Sequence, residues 1–235
     1  MRVIFVGRVP RWYFGFAAAF FILVCLLPGL VERLVSTLNA PIPIYKGHPG
    51  KAQVALACNV FWGEEYLPAM LDTLDRAGVK ATFFIGGSWA NRHPALVKEL
   101  AARGHELGNH SYSHPHPNSL GKQQNQEQIL RTERLVAELT GVKTALYAPP
   151  YGEFNAAVLT AAADIGYTTI LWSIDTVDWK RPPAETILAR VLGKLHNGAI
   201  VLMHPTEPTA QALPELLFRI QGRGYAVKPV SEILQ

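Results

Sequence analysis

The chain has almost no cysteine. Cys25 and Cys58 are the only two among 235 residues. One lies in an apolar N-terminal run and the other in an expected core strand, so no disulfide framework is implied and the core itself must hold the fold. Charge is also scarce. Asp, Glu, Lys and Arg make up 17% of the residues against 49% hydrophobic ones, which excludes a disordered chain. The formal charge of +4 does not mark a polyanion-binding surface. Five of the 22 basic residues (Arg2, Arg8, Arg11, Arg33, Lys46) and one of the 18 acidic ones (Glu32) lie at or before Lys46. The rest is balanced at 17 of each, so nucleic acid is not an expected partner.

What the chain does have is one long apolar run. Residues 14–31 (FGFAAAFFILVCLLPGLV) carry no charge. At about 1.5 Å rise per residue they just span a bilayer core of about 30 Å. Arg2, Arg8 and Arg11 precede the run and Trp12 and Tyr13 stand at interface level, which places the N-terminus in the cytoplasm and the remainder of the chain outside. A cleaved signal peptide is the competing reading. No small-x-small site follows the run, and the candidate Ala40 is followed by Pro41, which hinders cleavage. The expectation is a single-pass cell-membrane protein: residues 1–38 a cytoplasmic stub and anchor, 39–50 an extended linker with three prolines and two glycines, and 51–235 one extracellular domain.

Beyond Lys51, short apolar runs alternate with amphipathic helical stretches. Strands are expected at 53–60, 81–85, 105–109, 144–147, 168–172, 199–203 and 225–228. Helices are expected at 65–77, 94–103, 123–139, 155–165, 184–195 and 210–221. Gly78, Gly104 and Gly141 end successive helices as left-handed caps. Roughly seven βα cycles in one domain point to a distorted α/β barrel of about seven parallel strands, with an open doubly wound sheet as the alternative. In such folds chemistry gathers at the strand ends, and the unusual residues fall there: Asn59, His110–His114, Pro149–Gly152, Asp175–Trp179 and His204.

Each of these segments has a bland and a chemical reading. His110 and His114 in HSYSH can converge on one metal if the loop turns helically, although loop histidines are usually just solvated. Asp175 and Asp178 in DTVDW could be turn caps. Either could instead hold a histidine across the site, with His204 at the end of IVLMH as recipient and general acid. The segment YAPPYG is a stiff loop able to aim an N–H at a developing oxyanion.

Taken in order, these segments resemble the polysaccharide deacetylases, the NodB homology domain of carbohydrate esterase family 4, over nearly all of residues 54–234. The family's T-F-D-D falls on Ala57-Cys58-Asn59-Val60. H-S-x-x-H is intact at His110, Ser111 and His114. R-x-P-Y-G appears as Ala148-Pro149-Pro150-Tyr151-Gly152. D-x-x-D-W is intact at Asp175–Trp179, and L-x-H is Leu202-Met203-His204. The resemblance implies metal-assisted removal of an N-acetyl group from a glycan such as peptidoglycan or a chitin-like polymer. Position by position, His110 and His114 would bind a divalent metal, zinc being the expectation. His204 would be the acid, supported by Asp175 or Asp178, and Tyr151 would offer its backbone N–H to the oxyanion. Pro150, Trp179 and Leu202 would line the substrate groove.

Three departures fall on the chemistry. Asn59 stands where the family has its base, Val60 where it has its metal aspartate, and Ala148 where an arginine steadies the base. With motifs one and three degenerate, the reading N-V-x-W-G-E-E from Asn59 to Glu65 resembles a divergent branch of deacetylase-like proteins in spore-forming bacteria. The expected function is therefore that of a deacetylase-like hydrolase of weak or altered activity, with an inactive glycan-binding or scaffold protein that retains the fold as the alternative. Glu64 and Glu65 could swing a replacement carboxylate toward the site, or simply favour the first turn of a helix.

Overall fold

The computed structural model describes residues 41–235. The expected anchor, with Cys25, lies outside them. Among the described residues no helix is long and apolar enough to cross a membrane.

Among these residues the sheet has eight strands, all paired in parallel: β1 (Gln53–Val60), β2 (Thr82–Ile85), β3 (Glu106–Asn109), β4 (Leu146–Tyr147), β5 (Thr168–Thr169), β6 (Ile174–Asp175), β7 (Ala199–Met203) and β8 (Ala226–Val227). Their order is β5-β4-β3-β2-β1-β7-β6, with β8 added beside β1. The helices that alternate with them are α1 (Leu67–Arg76), α2 (Gly87–Arg92), α3 (Pro94–Ala102), α4 (Lys122–Thr140), α5 (Ala156–Ala163), α6 (Ala184–Leu192), α7 (Glu207–Gly222) and α8 (Val230–Ile233). The expected parallel βα architecture is present as a curled half-barrel, open between β5 and β6, and not as a doubly wound sheet.

The central strand β1 sorts the core by its two-residue period. Val54, Leu56, Cys58 and Val60 join the larger cluster with Leu67, Met70, Leu71 and Leu74 of α1 and Leu213, Leu217 and Ile220 of α7. Ala55 and Ala57 face the opposite way, into a smaller cluster with Phe84, Ile170, Ile200, Val230 and Ile233. Alanine suits that inner face, where a curled sheet leaves little room.

Three local outcomes differ from the expectation. The run at 168–172 does not form one strand. It breaks after Thr169, and β6 resumes at Ile174 to pair with β7, so the two edges of the sheet are neighbours in sequence. The expected linker is extended but not free. Ile44 bridges Ile170 and Lys46 bridges Ala199, with Ile44 N–H donating to the Thr169 carbonyl at 2.9 Å and Leu171 N–H to the Ile44 carbonyl at 2.7 Å. This segment thereby ties β5 to the start of β7 across the gap. Finally, α2 and α8 were not anticipated. Both are under two turns long, too short to show a helical period. The second plugs the inner cluster, its Val230 N–H donating to Thr82 Oγ1 at 2.8 Å.

His105, before β3, is buried with Nδ1 accepting the Ala81 N–H at 3.3 Å and Nε2 unpartnered. Burial, reinforced by Lys80, pushes its pKa down to about 4. The unfolded chain then binds the extra proton between about pH 6.5 and 4, so stability is lost as pH falls through that window. Thermal unfolding from pH 7.5 to 4 should show a falling melting temperature, and His105→Gln should flatten part of the slope. An unchanged slope in the variant would assign the acid sensitivity to other groups.

Candidate functional site

Parallel pairing brings the carboxyl ends of the strands to one rim. There they surround a cavity of about 400 Å³ lined by Asn59, Phe61, Trp62, His110, His114, Tyr151, Gly152, Trp172, Asp175, Trp179, Leu202 and His204. All but four of these (Phe61, Trp62, Gly152 and Trp172) were among the candidate residues.

Asn59 continues the inner series of β1 after Ala55 and Ala57 and so reaches the cavity, 5% exposed. Val60 is one residue on and turns the other way. It is fully buried in the helix-facing cluster and does not line the cavity. Phe61 and Trp62 then cross the mouth. The Phe61 ring lies where a side chain on Gly86 would go, 2.3 Å from an ideal Cβ, and packs against His114 with centroids 4.8 Å apart. Trp62 stacks on His204 at 5.7 Å and 8°. Neither aromatic was expected at the site, although Trp62 belongs to the run N-V-x-W-G-E-E that follows the first motif. Their signal was position: they directly follow the altered first motif.

The histidine loop is anchored from below. Asn109 at the end of β3 donates to the Ile129 carbonyl and accepts from Ser111 N–H. Gln128 Oε1 on α4 receives Tyr112 N–H and Ser113 N–H at 3.1 and 2.8 Å. These bonds hold Ser111 and His114 in left-handed backbone (φ 63° and 55°). The two imidazoles meet edge to face, with centroids 4.9 Å apart and planes at 70°. His110 Nδ1 lies 2.7 Å from the Ala148 carbonyl, so Nδ1 carries the hydrogen and Nε2 keeps its lone pair. Burial, then His114, pushes the His110 pKa down to about 3, and burial holds His114 at about 4. Both rings are neutral donors at physiological pH.

Tyr151 sits at φ 60° in the short turn Pro150–Gly152. Its ring contacts His114 edge-on at 4.6 Å and stacks on His116 at 4.1 Å. His116 in turn pairs with Glu153 at 3.0 Å. Pro150 is buried beneath the turn and does not line the cavity. Leu202 and Trp179 do.

The two aspartates of the fourth motif separate. Asp178 is fully buried and reaches His204: Oδ1 lies 2.8 Å from Nδ1, while Oδ2 accepts His204 N–H and the Thr209 hydroxyl, each at 2.6 Å. Asp175 does not support His204. Its Oδ1 accepts Val177 N–H at 2.7 Å, an Asx turn, and the side chain borders the cavity. Glu64 and Glu65 do not enter the cavity. Glu64 Oε2 accepts Trp89 Nε1–H at 3.3 Å, its other oxygen lies 3.7 Å from His93, and Glu65 is exposed.

The donor set does not fit a tightly held metal. Two neutral imidazoles converge, but the third position is a core valine, and among the described residues no group of three or more His, Cys, Asp or Glu could hold an ion. Zinc sites of this kind use three or four protein ligands.

A curled parallel half-barrel with a paired-histidine loop and an aspartate-held histidine at its rim is an architecture shared with the family 4 carbohydrate esterases. The polysaccharide deacetylase family model matches residues 46–170, and the chain belongs to that family. It is 45% identical over 194 residues to the uncharacterised protein YlxY of Bacillus subtilis, covering 83% of this chain and 61% of that one. It is 36% identical to a peptidoglycan-N-acetylglucosamine deacetylase of Bacillus cereus over 185 residues, 77% of this chain and 67% of that one. Among solved structures, a family 4 pseudoenzyme from Bacillus anthracis superposes with a TM-score of 0.81 at 42% identity, over 83% of this chain and 69% of that one. A mutant of that pseudoenzyme with restored enzymatic activity superposes equally well, at 41% identity over 83% of this chain and 72% of that one.

Asp178 is fully buried, and three protein donors meet its carboxyl group. Asp178→Ala leaves those donors unpaired in a closed space and should cost about 3–5 kcal/mol. Urea unfolding measures this. A loss below about 1 kcal/mol would mean that the pair serves chemistry alone.

Proposed function

We propose that this chain is a cell-wall glycan-binding member of the deacetylase family in which hydrolysis has been dismantled. One observation carries the reading. The place of the base holds Asn59, whose amide cannot take a proton at neutral pH, and the adjoining Val60 packs into the core. Ala148 supplies no guanidinium. The similarity to a pseudoenzyme supports the same reading, and the peptidoglycan deacetylases among its relatives support a wall amino-sugar polymer as ligand. A slow deacetylase is the second reading, favoured by the His204–Asp178 pair, which keeps the geometry of a general acid.

Rebuilding the missing groups separates the two. The wild type should bind zinc weakly and release little acetate from chitooligosaccharide or peptidoglycan. Asn59→Asp with Val60→Asp and Ala148→Arg should raise both, because a carboxylate at position 60 is unstable in the core unless the strand end turns it to the metal. The rate should rise by at least about tenfold, at the cautious end of what a positioned base contributes. Single replacements should do much less, because such residues act as a unit. Vigorous acetate release by the wild type would establish the second reading. A folded triple variant that binds zinc and glycan yet stays inert would mean that the groove itself has changed.

Residues 14–31 are proposed to tether the domain on the outer face of the cell membrane. The full-length protein should then stay with membranes through alkaline and high-salt washes. A soluble mature form beginning near Ala40 would overturn the tether.

A further inference from the structure

The cavity of the candidate site keeps one carboxylate that the reading above leaves without a role. Among the described residues, Asp175 is the only carboxylate that lines it. Its Oδ1 is occupied by Val177 N–H, and among the described residues no hydrogen bond or ion pair engages Oδ2. The lining of the cavity includes no lysine or arginine from the described residues, and Ala148, 3% exposed, stands where the family has its arginine. A partly buried carboxylate with a spare oxygen turned to the cavity and no cation in the lining is open to a positively charged donor.

The walls are suited to the same charge. Phe61, Trp62, Tyr151, Trp172 and Trp179 line the cavity with Asp175, and aromatic faces attract ammonium groups. The protein's own Lys180 already uses one of them, its Nζ lying 4.9 Å from the Trp179 ring centroid. Trp62, Tyr151 and Trp179 are also 38%, 57% and 54% exposed at the mouth. Exposed aromatic surface gathered at a cavity marks a binding site rather than chance.

We propose that this cavity receives the ammonium group of a de-N-acetylated hexosamine within a glycan, with Asp175 as counter-ion and the aromatic residues as cage and sugar platform. The inference rests on the glycan-binding reading above and deepens it: the ligand is the product of the family's reaction, not its substrate. An N-deacetylation must therefore supply it, and this chain acts after that step. The neutral acetamide carries no charge to match the spare oxygen of Asp175, whereas an ammonium meets both the carboxylate and the rings.

Calorimetric titration of the full chain with glucosamine trisaccharide and with its N-acetylated counterpart tests this. The amine form should bind about tenfold more tightly, a gain on the scale of one desolvated cation–π contact with a counter-ion. Asp175→Asn is the informative variant. Its side-chain oxygen still accepts Val177 N–H, which holds Val177 at φ 53°, so the turn survives while the charge is removed. The preference should fall to near parity, with the melting temperature unchanged. Tighter binding of the N-acetylated trisaccharide would overturn the inference and leave the glycan reading standing. Binding of neither would overturn both. A preference that survives Asp175→Asn would overturn the role of that residue.

Discussion

The alternation of β1 is the constraint on which the rest depends. This strand sits at the centre of the sheet, with β2, β7 and β8 all paired to it. Its odd residues, Ala55, Ala57 and Asn59, point into the barrel, and its even ones, Val54, Leu56, Cys58 and Val60, point to the helices. Neighbouring positions of one degenerate motif therefore have different fates. Asn59 stays polar at the cavity. Val60 adds a fully buried side chain to the main cluster, a gain of roughly 1.5–3 kcal/mol over leaving it exposed. A carboxylate there would need a metal or a donor to compensate its burial. The substitution thus exchanges a functional liability for packing, the usual direction of a stability–function trade-off.

The rim has kept its shape although its chemistry has changed. Ser111, His114, Tyr151 and Val177 all hold left-handed backbone without being glycine, at about 1–2 kcal/mol each. Such conformations persist when the surroundings over-determine them. Here Gln128 and Asn109 brace the histidine loop, His116 stacks on Tyr151, and Asp175 fastens Val177. The aromatic pair Phe61 and Trp62, packed against His114 and His204, narrows the mouth further.

Much of this was legible in the sequence. The βα rhythm pointed to a parallel barrel because strand and helix periods differ and each repeat buries one face. The five segments ordered along the chain located the rim, and the identities of Asn59, Val60 and Ala148 marked where it departs from the family's pattern. Residue identity suffices there, since an amide cannot act as a base in any fold. Tertiary structure alone decided the rest. Asp175 and Asp178 are equivalent in sequence, yet only Asp178 lies past the turn that carries it beneath His204. Glu64 looked able to reach the site, but Trp89 and His93, distant in the chain, hold it away. The segment around Ile44 read as a linker because its three prolines and two glycines reveal nothing of the open sheet edge it bridges. Composition and period are local properties. The direction of a side chain, its partner and its exposure depend on which distant segments are brought against it.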